Sequence, residues 1–276
     1  MATATALDVT ALRADFPALA RTTMSGTAVI YADAPSETQV PQSVVDAMGD
    51  YLVWHNSHIQ GECAATRETD DKIGATRIDA GHLVDGDPDT VAFGQDITTL
   101  NFSVWRAIGR TRCPGDHIVV TCLDHDADVS SWLILAEDQG LQVCIVKVTP
   151  ACAIADLAPH GGATAVVDAV ACAPHRRIDV EALDCDVLLC SPYTCLGPHL
   201  GIAWVRPTLI PSPRPDRVRP AGMEPPRHRF ETGSLTHEAL AGPRAAVLRL
   251  GFAHYATCDG IDRCICALAN IARVPS

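Results

Sequence analysis

The sequence predicts an α/β protein built on a mostly parallel sheet sandwiched by helices. Three observations carry this. Hydrophobic residues make up 47 % of the 276, yet only 5 % are aromatic, so the apolar content is short aliphatic runs of the kind that buried parallel strands need. Those runs alternate with amphipathic stretches of helical period. Gly and Pro, nineteen each, punctuate the boundaries.

Taken in order, residues 1–30 read as an arm with one helix over 10–21, closed by Asp15-Phe16-Pro17. Tyr31-Ala32-Asp33 reads as a short strand. A helix over 41–53 begins at Pro41, where no N–H is required, and repeats Val44, Val45, Met48 and Leu52 on one side. A second helix spans 69–83, ended by Asp85-Gly86-Asp87-Pro88. Strands follow at 90–93, 117–121, 142–148, 163–168, 187–190 and 202–205, with helices at 98–109, 128–138 and 153–158 between them. Residues 207–228 form a proline-rich loop. Helices over 238–255 and 261–274 end the chain. The division is an arm (1–30), a large domain (31–235) and C-terminal helices (236–276).

Net charge is −12, which argues against nucleic acid or anionic membrane as partner. No apolar run reaches the roughly 18–20 residues of a membrane span. The start, residues 1–8, lacks the basic and apolar regions of a secretory signal, so a cytoplasmic protein is expected. The twelve cysteines are then reduced, and several fall in strands as small core residues. Cys258, Cys264 and Cys266, and His55 and His58 with Cys63, carry ligand atoms without a recognised zinc spacing, and no metal site is expected.

Four segments hold chemistry-bearing residues at strand ends. Gly94-Gln95-Asp96-Ile97-Thr98-Thr99 is a strand-to-helix junction, either an anion site or an ordinary helix start. Leu123-Asp124-His125-Asp126-Ala127-Asp128 offers an imidazole for stacking or a polar loop with Asp128 as N-cap. Val166-Val167-Asp168 ends a strand in a carboxylate. Ser191-Pro192-Tyr193-Thr194-Cys195-Leu196-Gly197-Pro198-His199-Leu200-Gly201 is a turn between two strands. Further on, Arg229-Phe230-Glu231-Thr232-Gly233-Ser234 reads alone as a helix approach capped by Thr236.

In this order and spacing, with Gln39-Val40-Pro41-Gln42-Ser43-Val44 before them, these segments resemble the class V aminotransferase, cysteine-desulfurase-like family of pyridoxal phosphate (PLP) enzymes. The resemblance spans roughly residues 8–250 and is nearest to the desulfurase-like branch that includes isopenicillin N epimerase-type relatives. It implies the large domain of PLP-transferase fold type I, in reduced form. It also implies that Thr98, Thr99, Ser191 and Thr232 face the cofactor phosphate, the last from a partner subunit. His125 would stack on the ring, and Asp168 would pair with the ring nitrogen, keeping it electron-poor.

The chain departs from that pattern at four places. The lysine that holds PLP as a Schiff base corresponds to Thr194, and a hydroxyl cannot form an imine. Only Lys72 and Lys147 exist elsewhere. Ala171 stands where many relatives have histidine. About fifteen residues separate the strands near Val148 and Ala163, enough for one crossover helix, so the sheet should close with one strand fewer. The small C-terminal domain of relatives has no counterpart before Ser276.

The resemblance thus implies a repurposed enzyme acting on a small amine, amino acid or PLP adduct without an internal aldimine. His125, Tyr193, Thr194 and His199 are the catalytic candidates. PLP or pyridoxamine phosphate would be held noncovalently, in a homodimer. The alternative is a non-catalytic subunit that completes a lysine-bearing paralogue in a heterodimer.

Overall fold

The structure is a computed structural model that describes residues 9–31, 36–147, 163–216 and 226–247. Helix α1 (Val9–Arg13) and a 3-10 turn at Pro17–Ala20 replace the single helix expected over 10–21, since Pro17 cannot continue it. The arm docks through Phe16, which packs with Val44 and Leu196. Helix α2 (Gln42–Asp50) runs on into a π turn, Tyr51–His55. Helix α3 (Ala64–Val84) is longer than expected and closes on Asp85 in the left-handed conformation, φ 54°. Ala32 and Asp33 of the strand expected at Tyr31-Ala32-Asp33, the helix at 153–158, that at 261–274, and residues 217–225 of the 207–228 loop lie outside the described residues.

From there the alternation holds: β1 (Val91–Gly94), α4 (Ile97–Gly109), β2 (His117–Thr121), α5 (Asp126–Gln139), β3 (Gln142–Val146), β4 (Val166–Asp168), β5 (Val187–Cys190), β6 (Gly201–Val205) and α6 (His237–Val247). Strand β6 lies between β1 and β5 and is antiparallel to both, while β4 and β5 are parallel. Three of the four strands, β1, β4 and β5, therefore point one way and end on one side. Central β5 and β6 are buried along their whole length, as aliphatic runs without alternation demand. Helices α3 and α6 cover one face of this sheet with Ile73, Val84, Ala239 and Leu240. On the other face α4 packs Leu100, Val104 and Ile108 against Val187, Leu189 and Ala203.

The sheet does not close with one strand fewer, as the short crossover implied. Strands β2 and β3 form a separate parallel pair, and among the described residues none hydrogen-bonds either to the four-stranded sheet. Helix α5 joins the two parts: Trp132 stacks on Trp105 of α4, ring centroids 4.7 Å apart, and Leu135 packs under β2. Among the described residues, one face of the β2–β3 pair lacks a covering layer, and Val119 is 63 % exposed. The same gap explains why Cys122 and Cys144 are exposed rather than core residues. Of the described cysteines, none of which forms a disulfide, only Cys185, Cys190 and Cys195 are buried.

Candidate active site

The ends of β1, β4 and β5 lie on one side of the four-stranded sheet, where open α/β sheets hold their ligands, and Asp128, from the segment after β2, reaches Asp168 there. Each contributes a segment singled out above. After β5, a 3-10 turn over Pro192–Thr194 carries Thr194 inward, 1 % exposed. Its hydroxyl lies 2.9 Å from the Val170 carbonyl and 3.0 Å from that of Ser191, donating between them. Ser191 is equally buried and donates to the Leu200 carbonyl. Both hydroxyls are thus held by backbone acceptors and shape the turn.

The turn also contains strain. Leu196 sits at φ 67°, a region that costs a non-glycine residue of order 1 kcal/mol or more. Thr38, just ahead of α2, holds it there: its hydroxyl accepts from Leu196 N and donates to the Tyr193 carbonyl, both at 2.7 Å. Nothing local in the sequence marks Thr38, because its partners lie more than 150 residues away. Downstream, the exposed His199 ring stacks on Tyr193 at 5.2 Å.

Asp168 is exposed at the end of β4 and accepts from Val170 N at 2.8 Å. Asp128, one turn into α5, lies within its hydrogen-bonding reach. Burial first, then the charge and hydrogen bond of Asp168, push the Asp128 carboxyl up to about 7. Asn101 of α4, 2.5 Å away and almost fully buried, works in the opposite direction by donating to Asp128. Asp128 is not the N-cap of α5. His125 takes that place, its Nδ1 accepting from Ala127 N at 3.2 Å, because the chain enters the helix two residues earlier than expected. The imidazole is exposed, and with Nδ1 accepting, its neutral form carries the proton on Nε2.

Asp96 caps the start of α4: Oδ1 accepts from Thr99 N at 2.7 Å, and Oδ2 accepts from the Thr99 hydroxyl at 2.6 Å. Thr98 is exposed beside it. Gly201 explains how the cap is seated, since a Cβ there would come within 2.5 Å of the Asp96 carbonyl oxygen. A cavity of about 280 Å³ opens next to this helix start, lined by Gly94, Gln95, Thr99 and Ser103 from one side and Thr232, Gly233 and Ser234 from the other. Thr232, which the resemblance assigned to a partner's pocket, thus faces Thr99 of its own chain. Tyr193 feels the whole arrangement. Burial raises its phenol, and the charges of Asp168, Glu37 and Asp96 raise it further.

The class-V aminotransferase family model matches residues 30–155 and 147–247. The chain belongs to this PLP-dependent family. It is similar to a probable cysteine desulfurase of Halobacterium salinarum, 28 % identical over 83 % of this chain and 66 % of the relative, and so spans about two thirds of that relative's length. Among solved structures, the apo cysteine desulfurase of Thermococcus onnurineus shares the fold with a TM-score of 0.78 at 21 % identity, covering 90 % of this chain and 72 % of that one. A C–S lyase variant with glycine linked to its PLP cofactor superimposes with a TM-score of 0.70 at 17 % identity, over 88 % and 76 % of the two chains. The fold is that of the PLP-dependent transferases.

Set against PLP itself, the site fits at one end. Asp168 is exposed at the end of β4 and His125 is exposed at the start of α5, so both residues that the resemblance assigns to the ring are open to a ligand. The phosphate end does not fit, because the helix-start donors of Thr99 already serve the Asp96 carboxylate.

Proposed function

We propose that this chain is a lysine-less, repurposed member of the class V family that takes a small amine or amino acid into the former cofactor cleft and works without a covalent anchor. The observation that carries this reading is Thr194. It occupies the lysine position of the turn, it is buried, and its hydroxyl is committed to the Val170 and Ser191 carbonyls. An imine cannot form there. Conventional cysteine desulfurase activity, which needs an amine to capture the cofactor from that lysine, is therefore not expected.

What remains suits an amine. Asp168 lies within hydrogen-bonding reach of Asp128, whose carboxyl is pushed up to about 7, and a pair of carboxyls so placed suits an ammonium or a protonated ring nitrogen. His125 is an exposed imidazole placed to move a proton. Tyr193 and His199 supply a stacked aromatic pair. A pyridoxal or pyridoxamine ring entering here would be held noncovalently.

The alternative, a subunit that completes a paralogue's site through Arg229 to Thr232, has less support. Arg229 donates to the Pro211 and Pro213 carbonyls, and Glu231 is buried on Arg77, so this segment serves its own chain.

Calorimetric titration of pyridoxamine and small amino acids into the purified chain tests the proposal. Binding that Asp168→Asn and His125→Ala both weaken is the expected result. Added pyridoxal should develop Schiff-base absorbance with Thr194→Lys and not with the wild type. Absence of binding by any amine would overturn the reading.

A further inference from the structure

We infer that Asp96 closes the anion seat at the start of α4, so that the cleft admits amine ligands lacking a phosphate and rejects their phosphorylated forms. This rests on the reading of the cleft as an amine site and narrows its ligand class.

A helix start binds phosphate through free N–H groups, a nearby hydroxyl and the positive end of the dipole. Here the chain's own carboxylate uses those features. Both Asp96 oxygens are engaged, one by Thr99 N–H and the other by the Thr99 hydroxyl, while the Asp96 carbonyl takes Leu100 N. The backbone of Asp96 is extended, φ −151° and ψ 167°, and lies against Gly201. A phosphate brought to this helix start would therefore meet a fixed like charge in place of the two Thr99 donors.

The adjoining cavity does not compensate. Gln95, Thr99, Ser103, Thr232 and Ser234 give it amide and hydroxyl groups, and among the described residues no Lys, Arg or His lines it. Nearby arginines are committed elsewhere: Arg77 to Glu231, Arg227 to Asp89 and Arg229 to the Pro211 and Pro213 carbonyls. A dianion would thus enter a polar but uncompensated space beside Asp96. An ammonium or a neutral hydroxylated group would not be opposed.

The test compares pyridoxamine with pyridoxamine 5′-phosphate, titrated calorimetrically into the full chain and its Asp96→Asn variant. Asparagine caps a helix as well as aspartate, so the variant keeps α4, and its melting temperature verifies this. Wild type should favour pyridoxamine by about tenfold or more, the scale of a like-charge contact, and Asp96→Asn should strengthen the phosphorylated form by a similar factor. Inorganic phosphate, titrated alone, should bind the variant more tightly than the wild type. The inference is overturned if the wild type prefers the phosphorylated form, or if Asp96→Asn gains no affinity for either phosphate. Failure of pyridoxamine to bind the wild type would instead remove the amine reading. The gain or absence of gain with inorganic phosphate would still decide the role of Asp96.

Discussion

Glu231 uses one carboxylate oxygen for two donors in the core: Arg77 Nη1 at 2.7 Å and the Phe93 backbone N–H at 3.0 Å. Arg77 also donates to the Val91 carbonyl and stacks over the Phe93 ring, 4.6 Å from its centroid. One ion pair therefore ties α3 and β1 to the segment that carries Thr232 to the cavity. Neither partner is more than 8 % exposed.

Breaking this pair leaves a buried charge without its counter-charge. Arg77→Met or Glu231→Gln should each cost about 3–5 kcal/mol. The double variant should cost less than the sum of the two singles, because each removes the other's stranded charge. Urea denaturation of the four proteins measures the coupling. Strictly additive losses would show that packing around Phe93, and not the ion pair, holds the junction.

Gly201 yields a second prediction. An added methyl group would meet the Asp96 carbonyl oxygen at 2.5 Å, and that atom belongs to backbone fixed by both β6 and α4. Gly201→Ala should therefore destabilise by about 1–3 kcal/mol. It should also loosen the Asp96 cap, visible as faster amide exchange at Thr99. Unchanged stability would mean that the β6–α4 junction is softer than its geometry implies.

Thr194 makes a third. Thr194→Val keeps the shape and deletes the hydroxyl, leaving the Val170 and Ser191 carbonyls short of a donor in a buried turn. The expected loss is about 1–3 kcal/mol by chemical denaturation. A neutral or stabilising result would show that the hydroxyl is not structural, and would return it to consideration as a catalytic group.

The sequence made some of these features legible and not others, for physical reasons. Strands β2 and β5 appear where the aliphatic runs place them, and α5 stops at Gly140, whose φ of 68° favours glycine. These are local signals. The separation of β2–β3 from the main sheet is not local. It depends on which edges find hydrogen-bonding partners, and the aliphatic run of β3 reads the same in either case. Asp96 stood within a recognised anion-site segment, yet cap and anion site use the same residue types. Only the direction of its side chain separates them. His125 as N-cap was hidden because Asp128 is the better cap by residue type. Thr38 was invisible, since its role comes entirely from the distant turn it supports.

Asp128 supports the sharpest prediction. In the unfolded chain its carboxyl ionises near 3.8, whereas in the fold it holds its proton up to about 7. Between those values the folded state binds more protons than the unfolded one. Its contribution to stability is therefore fully present below about pH 4 and is lost as pH rises through about 7. A shift of roughly three units corresponds to about 4 kcal/mol. Asp128 is only partly buried, so solvent screening reduces the expected loss to about 1–2 kcal/mol. Asp128→Asn removes the titration while keeping an acceptor for Asn101. It should match the wild type near pH 4 and exceed it by that amount near pH 8, in urea titrations run across the range. Asp168→Asn should pull the Asp128 transition toward lower pH, since Asp168 is the largest charge acting on it. A flat difference between wild type and Asp128→Asn from about pH 4 to 8 would show that the Asp128 carboxyl is not raised in the fold, and the amine site would lose its central group.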